Sequence, residues 1–243
     1  MNSTVSLSII LPCYNPGPDW VAQVLKATQS IAEKVTDFEL IVVNDGSKQK
    51  QVLENLQTNY KVSALRLINL SKNMGKGHAL RQGVAVANGP IIIYTDIDFP
   101  YAIESLMKIH ALLYQNTADV AIGIRGESYY RHLPSMRIRI SKLLRALIKM
   151  LLRIPTDDTQ CGLKGFNQVG REVFLSTTIQ RYLFDLEFIF LAAQKKLRIA
   201  TEEVQLRPDV ILSKMNWKIL FQESVNFLKI FIQSILQQLK SGT

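Results

Sequence analysis

The first half of the chain alternates between short aliphatic runs and longer stretches of helical character. This alternation is typical of buried parallel strands joined by helices. An Asn-Gly-Pro sequence at 88–90 predicts the end of the third helix, because glycine tolerates a positive φ and proline cannot continue a helix. The pattern therefore predicts an α/β fold. The predicted strands are 7–11, 39–43, 66–70, 90–95 and 119–124, and the predicted helices are 19–33, 49–60, 76–87 and 101–115.

A basic segment follows the alternating half of the chain. Residues 131–153 contain seven arginines or lysines and no acidic residue, interleaved with leucine, isoleucine and methionine. Projected as a helix, the segment places its aliphatic residues toward one side and Arg145, Lys149 and Arg153 toward another. The sequence predicts a basic amphipathic helix here.

A second apolar segment covers residues 216–240 near the end of the chain. Both segments predict amphipathic helices, which either lie in a membrane interface or pack on the domain. We therefore expect one domain over residues 1–215, which includes segment 131–153, and a C-terminal amphipathic segment over 216–243. The apolar residues of this last segment include Trp217, Leu220, Phe221, Phe227, Leu228, Phe231, Ile232 and Ile235.

Composition and cysteine usage bound the class of protein. With 243 residues, 47% of them hydrophobic, the chain can bury the core of one compact domain. It contains no stretch of ~18 unbroken apolar residues that would predict a transmembrane helix. The polar start, residues 1–6, does not fit a secretory signal. Cys13 and Cys161 lack the spacing of a zinc site or a disulfide framework, which favours a cytoplasmic location.

The net charge of +9 predicts an anionic partner. Nucleic acid, a phosphorylated substrate and an acidic membrane surface all fit that charge. The basic run at 131–153 is interleaved with aliphatic residues rather than with the aromatic residues on which bases stack. We therefore expect no nucleic-acid partner.

An Asp-Ile-Asp sequence at 96–98 follows the fourth predicted strand. Alternate side chains of an extended chain point to the same side, so Asp96 and Asp98 are expected to project together. Such a pair can hold a divalent cation whose shell is completed by substrate phosphate oxygens. The cation then neutralises charge on a diphosphate leaving group. Alone, the motif also fits a solvated loop.

Two further segments are expected beside this pair, at the carboxyl edge of the sheet where open α/β proteins bind ligands. Residues 44–47, Asn-Asp-Gly-Ser, end the second strand. Asp45 either accepts a hydrogen bond from a nucleobase or ribose or simply forms a tight turn. Residues 73–77, Asn-Met-Gly-Lys-Gly, precede a helix, so free amides and Lys76 are placed to meet a diphosphate.

The order of these motifs resembles that of family 2 glycosyltransferases with the GT-A fold. Pro-Cys-Tyr-Asn at 12–15 follows the first strand, and the segments at 44–47, 73–77 and 96–98 follow the next three. The second half is similar to the dolichyl-phosphate glucose and mannose synthases and their bacterial polyprenyl-phosphate counterparts. The residues that carry this similarity are Arg125, Arg137 with Ser141, the run Asp-Thr-Gln-Cys-Gly-Leu-Lys-Gly-Phe at 158–166, and Phe-Asp-Leu-Glu at 184–187.

The resemblance implies a single GT-A (Rossmann-like) domain with a mainly parallel mixed sheet. It also implies an inverting enzyme that moves a sugar from a UDP- or GDP-linked donor, of the UDP-glucose or GDP-mannose type, to a polyprenyl or dolichyl phosphate. Asp96 and Asp98 are expected to bind Mg or Mn, and Arg125 and Arg137 the acceptor phosphate. By the same resemblance the catalytic residues are Asp98, Asp158, Arg125 and Arg137, and the donor is bound by Pro12, Tyr14, Asn15, Asp45, Lys76, Asp96 and Gln160.

Two positions depart from the family pattern. The acidic residue usual after Tyr-Asn is replaced by Pro-Gly-Pro at 16–18. Ile211 replaces the glycine before Ser213 and Lys214, a segment that would bring Arg207 to the substrate in the family.

A lipid phosphate brings its own nucleophile, because a phosphate monoester has a second pKa near ~6 and is largely dianionic at neutral pH. The protein then supplies position and charge compensation. Asp158 is left with three possible roles: orienting the acceptor, binding a sugar hydroxyl, or acting as a base. The alternative acceptor is a glycan or glycolipid hydroxyl, for which Asp158 would be the base. With a lipid acceptor we expect a peripheral protein on the cytoplasmic face of a membrane.

Overall fold

A computed structural model describes residues 5–48, 65–126, 148, 150, 152, 154–156, 158–208, 227 and 230–232. Several predictions from the sequence lie outside these residues. They are the helix at 49–60, Arg137 with Ser141, the basic residues Arg145, Lys149 and Arg153, and the Ser213–Lys214 segment.

The described residues form a seven-stranded mixed sheet, which confirms the predicted α/β architecture. The spatial order is β3-β2-β1-β4-β6-β5-β7. β6 is antiparallel to both of its neighbours, and the other pairs are parallel. All five predicted runs are strands. The strands are β1 Leu7–Cys13, β2 Phe38–Asn44, β3 Leu65–Asn69, β4 Ile91–Tyr94, β5 Val120–Arg125, β6 Lys164–Phe166 and β7 Ile199–Val204.

Among the described residues, three of the predicted helices are present, together with two that were not predicted. The unpredicted helix α5 is buried on nearly all sides, so its sequence lacks the one-sided apolar pattern of a surface helix. Strands β6 and β7 were also missed, because β6 has only three residues and β7 carries Thr-Glu-Glu at its centre. The helices with both ends inside the described ranges are α1 Trp20–Ala32, α2 Lys76–Val86, α3 Ile103–Tyr114, α4 Gln168–Leu175 and α5 Phe184–Gln194.

The core consists of two layers, one on each face of the sheet. In β1, Ile10 faces one layer while Ile9 and Leu11 face the other, as the two-residue period of a strand requires. Helices α2, α4 and α5 cover the first layer, and α1 and α3 cover the second. Strands covered on both faces are continuously apolar, which explains why the sequence showed them as aliphatic runs.

Five of the seven described residues of the two amphipathic segments pack on the domain, whereas Met150 and Ile232 are 65% and 48% exposed. Leu152 and Ile230 are each 1% exposed and belong to the first core layer, and Ile148, Phe227 and Phe231 pack against it. This arrangement favours packing on the domain for these five residues. Contact of the rest of these segments with a membrane remains a prediction. Within the described ranges, no helix is both long enough and apolar enough to cross a membrane.

A buried ion pair joins β6 to the start of α5. The Lys164 ammonium, with no exposed surface, lies 2.9 Å from a carboxylate oxygen of Asp185. The same oxygen accepts a hydrogen bond from the Tyr94 hydroxyl, and Lys164 also donates to the carbonyl of Cys161. The ammonium lies 5.7 Å from the centre of the Tyr94 ring. Each polar group of the pair therefore has partners that offset the cost of its burial.

We expect Lys164→Met to lower the free energy of unfolding by ~3–5 kcal/mol, because it leaves the Asp185 carboxylate buried without a cation. The double variant Lys164→Met with Asp185→Asn should lower the free energy of unfolding less than Lys164→Met alone. Urea denaturation measures both values. As a control, Lys108→Met breaks an exposed ion pair with Glu202 and should change stability little. Additive costs of the two core changes would contradict this account of the pair.

Candidate active site

The carboxyl ends of β1, β2, β3 and β4 meet at one edge of the sheet, because these four strands are parallel. The loops that follow them surround a cleft of about 1010 Å³. Six of the residues predicted from the sequence line this cleft: Pro12, Tyr14, Asp45, Lys76, Asp96 and Asp98.

The acidic pair lies where β4 ends. The Asp96 carboxylate accepts a hydrogen bond from the Lys76 ammonium at 2.5 Å. Burial and the neighbouring charge of Asp96 raise the pKa of Asp98, and the positive charges of Arg207 and Lys76 partly offset this rise. The two carboxylates are therefore close enough to repel each other, and the positive charges of Lys76 and Arg207 act on Asp98.

A strained turn follows the acidic pair. Phe99 has a φ of 45°, which is rare for a bulky residue, and its amide donates to the carbonyl of Asp96 at 2.9 Å. A backbone of this kind costs ~1–3 kcal/mol and persists only where its surroundings enforce it. The Phe99 side chain is only 2% exposed and packs in the second core layer. Its burial holds the turn that aims the two carboxylates.

Gly162 packs directly against the acidic pair. A Cβ atom at this position would lie 2.7 Å from a carboxylate oxygen of Asp96, closer than van der Waals contact allows. The Gly162 amide donates to the Tyr101 hydroxyl at 3.2 Å, which holds the segment in place. The glycine of the Asp-Thr-Gln-Cys-Gly run therefore permits the close approach of this segment to Asp96.

Asp45 organises the loop that precedes α2. Its two carboxylate oxygens accept hydrogen bonds from the amides of Met74 at 2.7 Å and Gly75 at 2.8 Å. The side chain is nearly buried, and Gly46 next to it has a φ of 73°. This geometry agrees with the predicted role of Asp45 in forming a turn. A direct contact of Asp45 with a nucleobase or ribose remains a prediction.

Asn15 connects the first loop to the second. Its backbone amide donates a hydrogen bond to the Ser47 hydroxyl at 2.9 Å, and its side-chain oxygen accepts one from the backbone amide of Lys48 at 3.1 Å. Tyr14, immediately before it, is 52% exposed at the mouth of the cleft. Asn15 thus shapes the cleft from beside it, whereas Tyr14 faces the space that a ligand would occupy.

Lys76 is the first residue of α2, and Gly75 is the N-cap of that helix with a φ of 104°. The helix has no side-chain cap at this end. The amide of Gly75 donates to Asp45 and that of His78 to the Gln180 carbonyl at 3.2 Å. The remaining amides at the start of the helix favour an anion there. Asn73, Gly75 and Lys76 all line the cleft, so this helix start faces the acidic pair across a shared space.

Arg125 and Asp158 form a buried pair at the end of β5. The Asp158 carboxylate, 1% exposed, accepts from the Arg125 backbone amide at 2.8 Å and from two guanidinium nitrogens at 2.9 and 2.6 Å. β6 separates β5 from β4, so this pair lies about 10 Å along the sheet from the acidic pair. Neither residue belongs to the described lining of the cleft.

Two of the other predicted residues lie apart from the cleft or cannot be placed. Gln160 is exposed in the turn before Cys161 and is not among the described residues that line the cleft. Arg137 lies outside the described residues. Their predicted roles are therefore untested.

Sequence reasoning missed part of the cleft wall. Arg181 and Tyr182, from the loop between α4 and α5, line the same cleft as the acidic pair. Both precede the Phe-Asp-Leu-Glu run at 184–187, but no local pattern separates them from ordinary surface residues. Only the contact of their loop with α2 reveals their position.

The donor groups of the cleft fit a cation that shares its shell with substrate. Among the described residues, no group of three or more His, Cys, Asp or Glu side chains could hold a metal ion. Asp96 and Asp98 together fit Mg²⁺ or Mn²⁺ bound by two carboxylates and completed by phosphate oxygens.

Comparison with known proteins agrees with this architecture. Residues 8–190 match the family described as Glycosyl transferase family 2. A dolichyl-phosphate beta-glucosyltransferase of Trichomonas vaginalis is 30% identical over 251 residues, which cover 95% of this chain and 72% of the relative. The dolichyl-phosphate beta-glucosyltransferase of Saccharomyces cerevisiae is 28% identical over 225 residues, which cover 83% of this chain and 66% of the relative.

The fold is similar to that of glucosyl-3-phosphoglycerate synthase from Mycobacterium tuberculosis, crystallised with Mn²⁺, UDP and glucosyl-3-phosphoglycerate. The TM-score is 0.65 at 16% identity, and the match covers 95% of this chain and 80% of that one. At this identity the likeness concerns the fold alone. Because the family match spans more than half of the sequence and the sheet has the GT-A arrangement, the chain belongs to glycosyl transferase family 2 and is a glycosyltransferase.

Proposed function

We propose that this enzyme transfers glucose, with inversion, from a nucleoside diphosphate donor to a polyprenyl or dolichyl phosphate, using Mg²⁺ or Mn²⁺. The observation that favours a phosphate acceptor over a hydroxyl acceptor is the Arg125–Asp158 pair. A hydroxyl acceptor needs a carboxylate base, and Asp158 is instead engaged by three donors of Arg125. The dolichyl-phosphate beta-glucosyltransferases among its relatives support the same acceptor and sugar.

On this proposal Asp96 and Asp98 would hold the cation together with oxygens of the donor diphosphate. When bound, the cation neutralises charge that develops on the nucleoside diphosphate as it leaves. Lys76 contributes a second positive charge at the same place. Its pair with Asp96 is 30% and 42% exposed, so it costs little to open, and the ammonium can turn from Asp96 to a phosphate oxygen.

The chemical step needs no protein base. An oxygen of the lipid phosphate attacks the anomeric carbon of the sugar, and the bond from that carbon to the diphosphate oxygen breaks with its electrons staying on the leaving group. Direct displacement on an α-linked donor gives a β-linked product. The protein's task is to hold the two phosphates in line, which is worth several kcal/mol of the barrier.

Arg125 is proposed to hold the acceptor phosphate, with Asp158 as the residue that positions it. Two side-chain bonds and one backbone bond from Arg125 to a buried carboxylate fix the plane of the guanidinium. Arg137 and Gln160 keep their proposed roles at the acceptor and donor, respectively. We propose that peripheral contact with the cytoplasmic face of a membrane, through segments 131–153 and 216–243, brings the lipid to this place.

The decisive experiment incubates purified protein with UDP-glucose and Mg²⁺ or Mn²⁺, and offers either a polyprenyl phosphate or a panel of sugar hydroxyls. We expect a β-linked glucosyl phosphate lipid and no transfer to the hydroxyl panel. GDP-mannose in place of UDP-glucose tests the donor. Transfer to a hydroxyl but not to the lipid phosphate would overturn the proposed acceptor.

Asp98→Asn and Asp96→Asn should each lower turnover by ~100-fold or more, because each removes charge that holds the cation against the leaving group. EDTA should reproduce the loss in the wild-type enzyme. Asp37→Asn is the matched control, since this exposed residue precedes β2 at the opposite edge of the sheet. Wild-type turnover in Asp98→Asn would show that the cation is not held there.

Gly162→Ala should lower turnover by ~100-fold while the protein stays folded. The added methyl group would displace the Asp96 carboxylate, and a misplacement of ~1 Å at a catalytic group can cost that much. The next contacts of the new Cβ, at 3.5 Å and beyond, are ordinary, so stability should persist. Gly17 lines the same cleft and has open space where a Cβ would be added, so the control variant Gly17→Ala should be active. Initial rates and thermal melting check both variants; equal activity would refute the steric argument.

Arg125→Lys and Asp158→Asn should each raise the KM for polyprenyl phosphate by roughly 10-fold or more, as expected for a lost charge-assisted hydrogen bond of ~1.5 kcal/mol. Nucleoside diphosphate affinity, measured by calorimetry, should stay unchanged. Because Asp158 acts through Arg125, the double variant should be little worse than Arg125→Lys alone. Fully additive effects would contradict a positioning role for Asp158.

A further inference from the structure

Resting on the proposed function, we propose that Arg181 is a phosphate-binding residue of the same cleft. It lies in the loop 176–183 between α4 and α5 and contacts the segment that begins α2. Its ligand would be a phosphate oxyanion, either of the donor diphosphate or of the acceptor lipid.

The loop that carries Arg181 is packed against the start of α2. A Cβ at Gly75 would lie 2.5 Å from the carbonyl oxygen of Gln180 and 2.8 Å from the Cγ atom of Arg181. A Cβ at Gly77 would lie 2.7 Å from the carbonyl oxygen of Ile179. Two glycines of the Asn-Met-Gly-Lys-Gly segment therefore permit this contact, which places the Arg181 side chain beside Gly75 and Lys76.

Charged side chains hold this loop in place. The Glu187 carboxylate accepts from the amides of Thr178 at 2.9 Å and Ile179 at 2.8 Å and from the Thr178 hydroxyl at 2.8 Å. Arg81 donates to the Thr177 hydroxyl at 3.1 Å and to the Ile179 carbonyl at 2.9 Å. Charge-assisted bonds of this kind are strong, so the backbone that leads to Arg181 is preorganised.

The Arg181 guanidinium differs from the other arginines in the described ranges. Within those ranges its side chain makes no ion pair and no hydrogen bond, and it is exposed along the cleft. The other described arginines each have a polar partner: Arg66, Arg81, Arg125, Arg171 and Arg198 donate hydrogen bonds, and Arg207 interacts with the charge of Asp98.

The arrangement of charges in the cleft leaves the Arg181 guanidinium available to bind phosphate. Lys76 is paired with Asp96, whereas Arg181 adjoins the helix start where an anion is favoured and carries a planar fork that pairs bidentately with phosphate. A lysine would supply the charge without that geometry. Arg181 is thus suited to bind the phosphate that lies nearest Gly75.

The test compares Arg181→Gln and Arg181→Lys with the wild type and with Lys195→Gln. Lys195 is exposed at the far end of α5, so its change removes one positive charge about 16 Å of helix away. Calorimetry with UDP and Mg²⁺ measures the donor side without any acceptor. The KM for polyprenyl phosphate measures the acceptor side, and thermal melting confirms that each variant is folded.

We expect Arg181→Gln to lose ~10-fold or more in one of these two measures, Arg181→Lys to recover part of the loss, and Lys195→Gln to stay within about twofold of wild type. Weaker UDP binding assigns Arg181 to the donor diphosphate, and a raised KM alone assigns it to the lipid phosphate. Wild-type values of both in Arg181→Gln would overturn this inference by itself. Wild-type protein that bound no nucleoside diphosphate would instead overturn the proposed function together with it.

Discussion

The parallel hydrogen-bond ladder of β1 with β2 and β4 determines where the polar groups of the cleft lie. Parallel strands end at the same edge, so three loops that are distant in the sequence open into one space. Most of the residues that follow these strands and line the cleft are polar or small, and Ile97 is an apolar exception. The aliphatic strands behind them are buried on both faces and keep the edge rigid.

Charge compensation organises this edge. Asp45 is engaged by two backbone amides, Asp96 by Lys76, and Asp158 by Arg125. Burial and the nearby charge of Asp96 raise the pKa of Asp98. The ionised form of Asp98 is therefore the least favourable charge of the group. A site with two close carboxylates is costly in itself, and such local cost is common where a ligand later supplies the missing charge.

Close backbone approaches connect the two halves of the chain. Gly162 brings the segment before β6 against Asp96, and Gly75 and Gly77 bring the loop before α5 against α2. A Cβ at Gly75 or Gly77 would meet backbone carbonyl oxygens and push the two segments apart, whereas a Cβ at Gly162 would displace the Asp96 carboxylate. The buried pair of Lys164 and Asp185 anchors the same two segments from beneath, so the second half of the chain forms a wall of the cleft.

The sequence by itself determined the layered α/β architecture, because strands buried on both faces are aliphatic runs and the helices between them start and stop at recognisable residues. It also determined the acidic pair, since one strand exit presents Asp96 and Asp98 together, and the motif order that indicates the family. Tertiary structure decided what those residues touch. That Asp45 holds a loop, that Asp158 holds Arg125, that Gly162 adjoins Asp96 and that Arg181 faces the cleft all depend on contacts between residues 30 to 106 positions apart in the chain. Local patterns record the period of an element and the residues at its ends, and they carry no information about which distant backbone will pack against it.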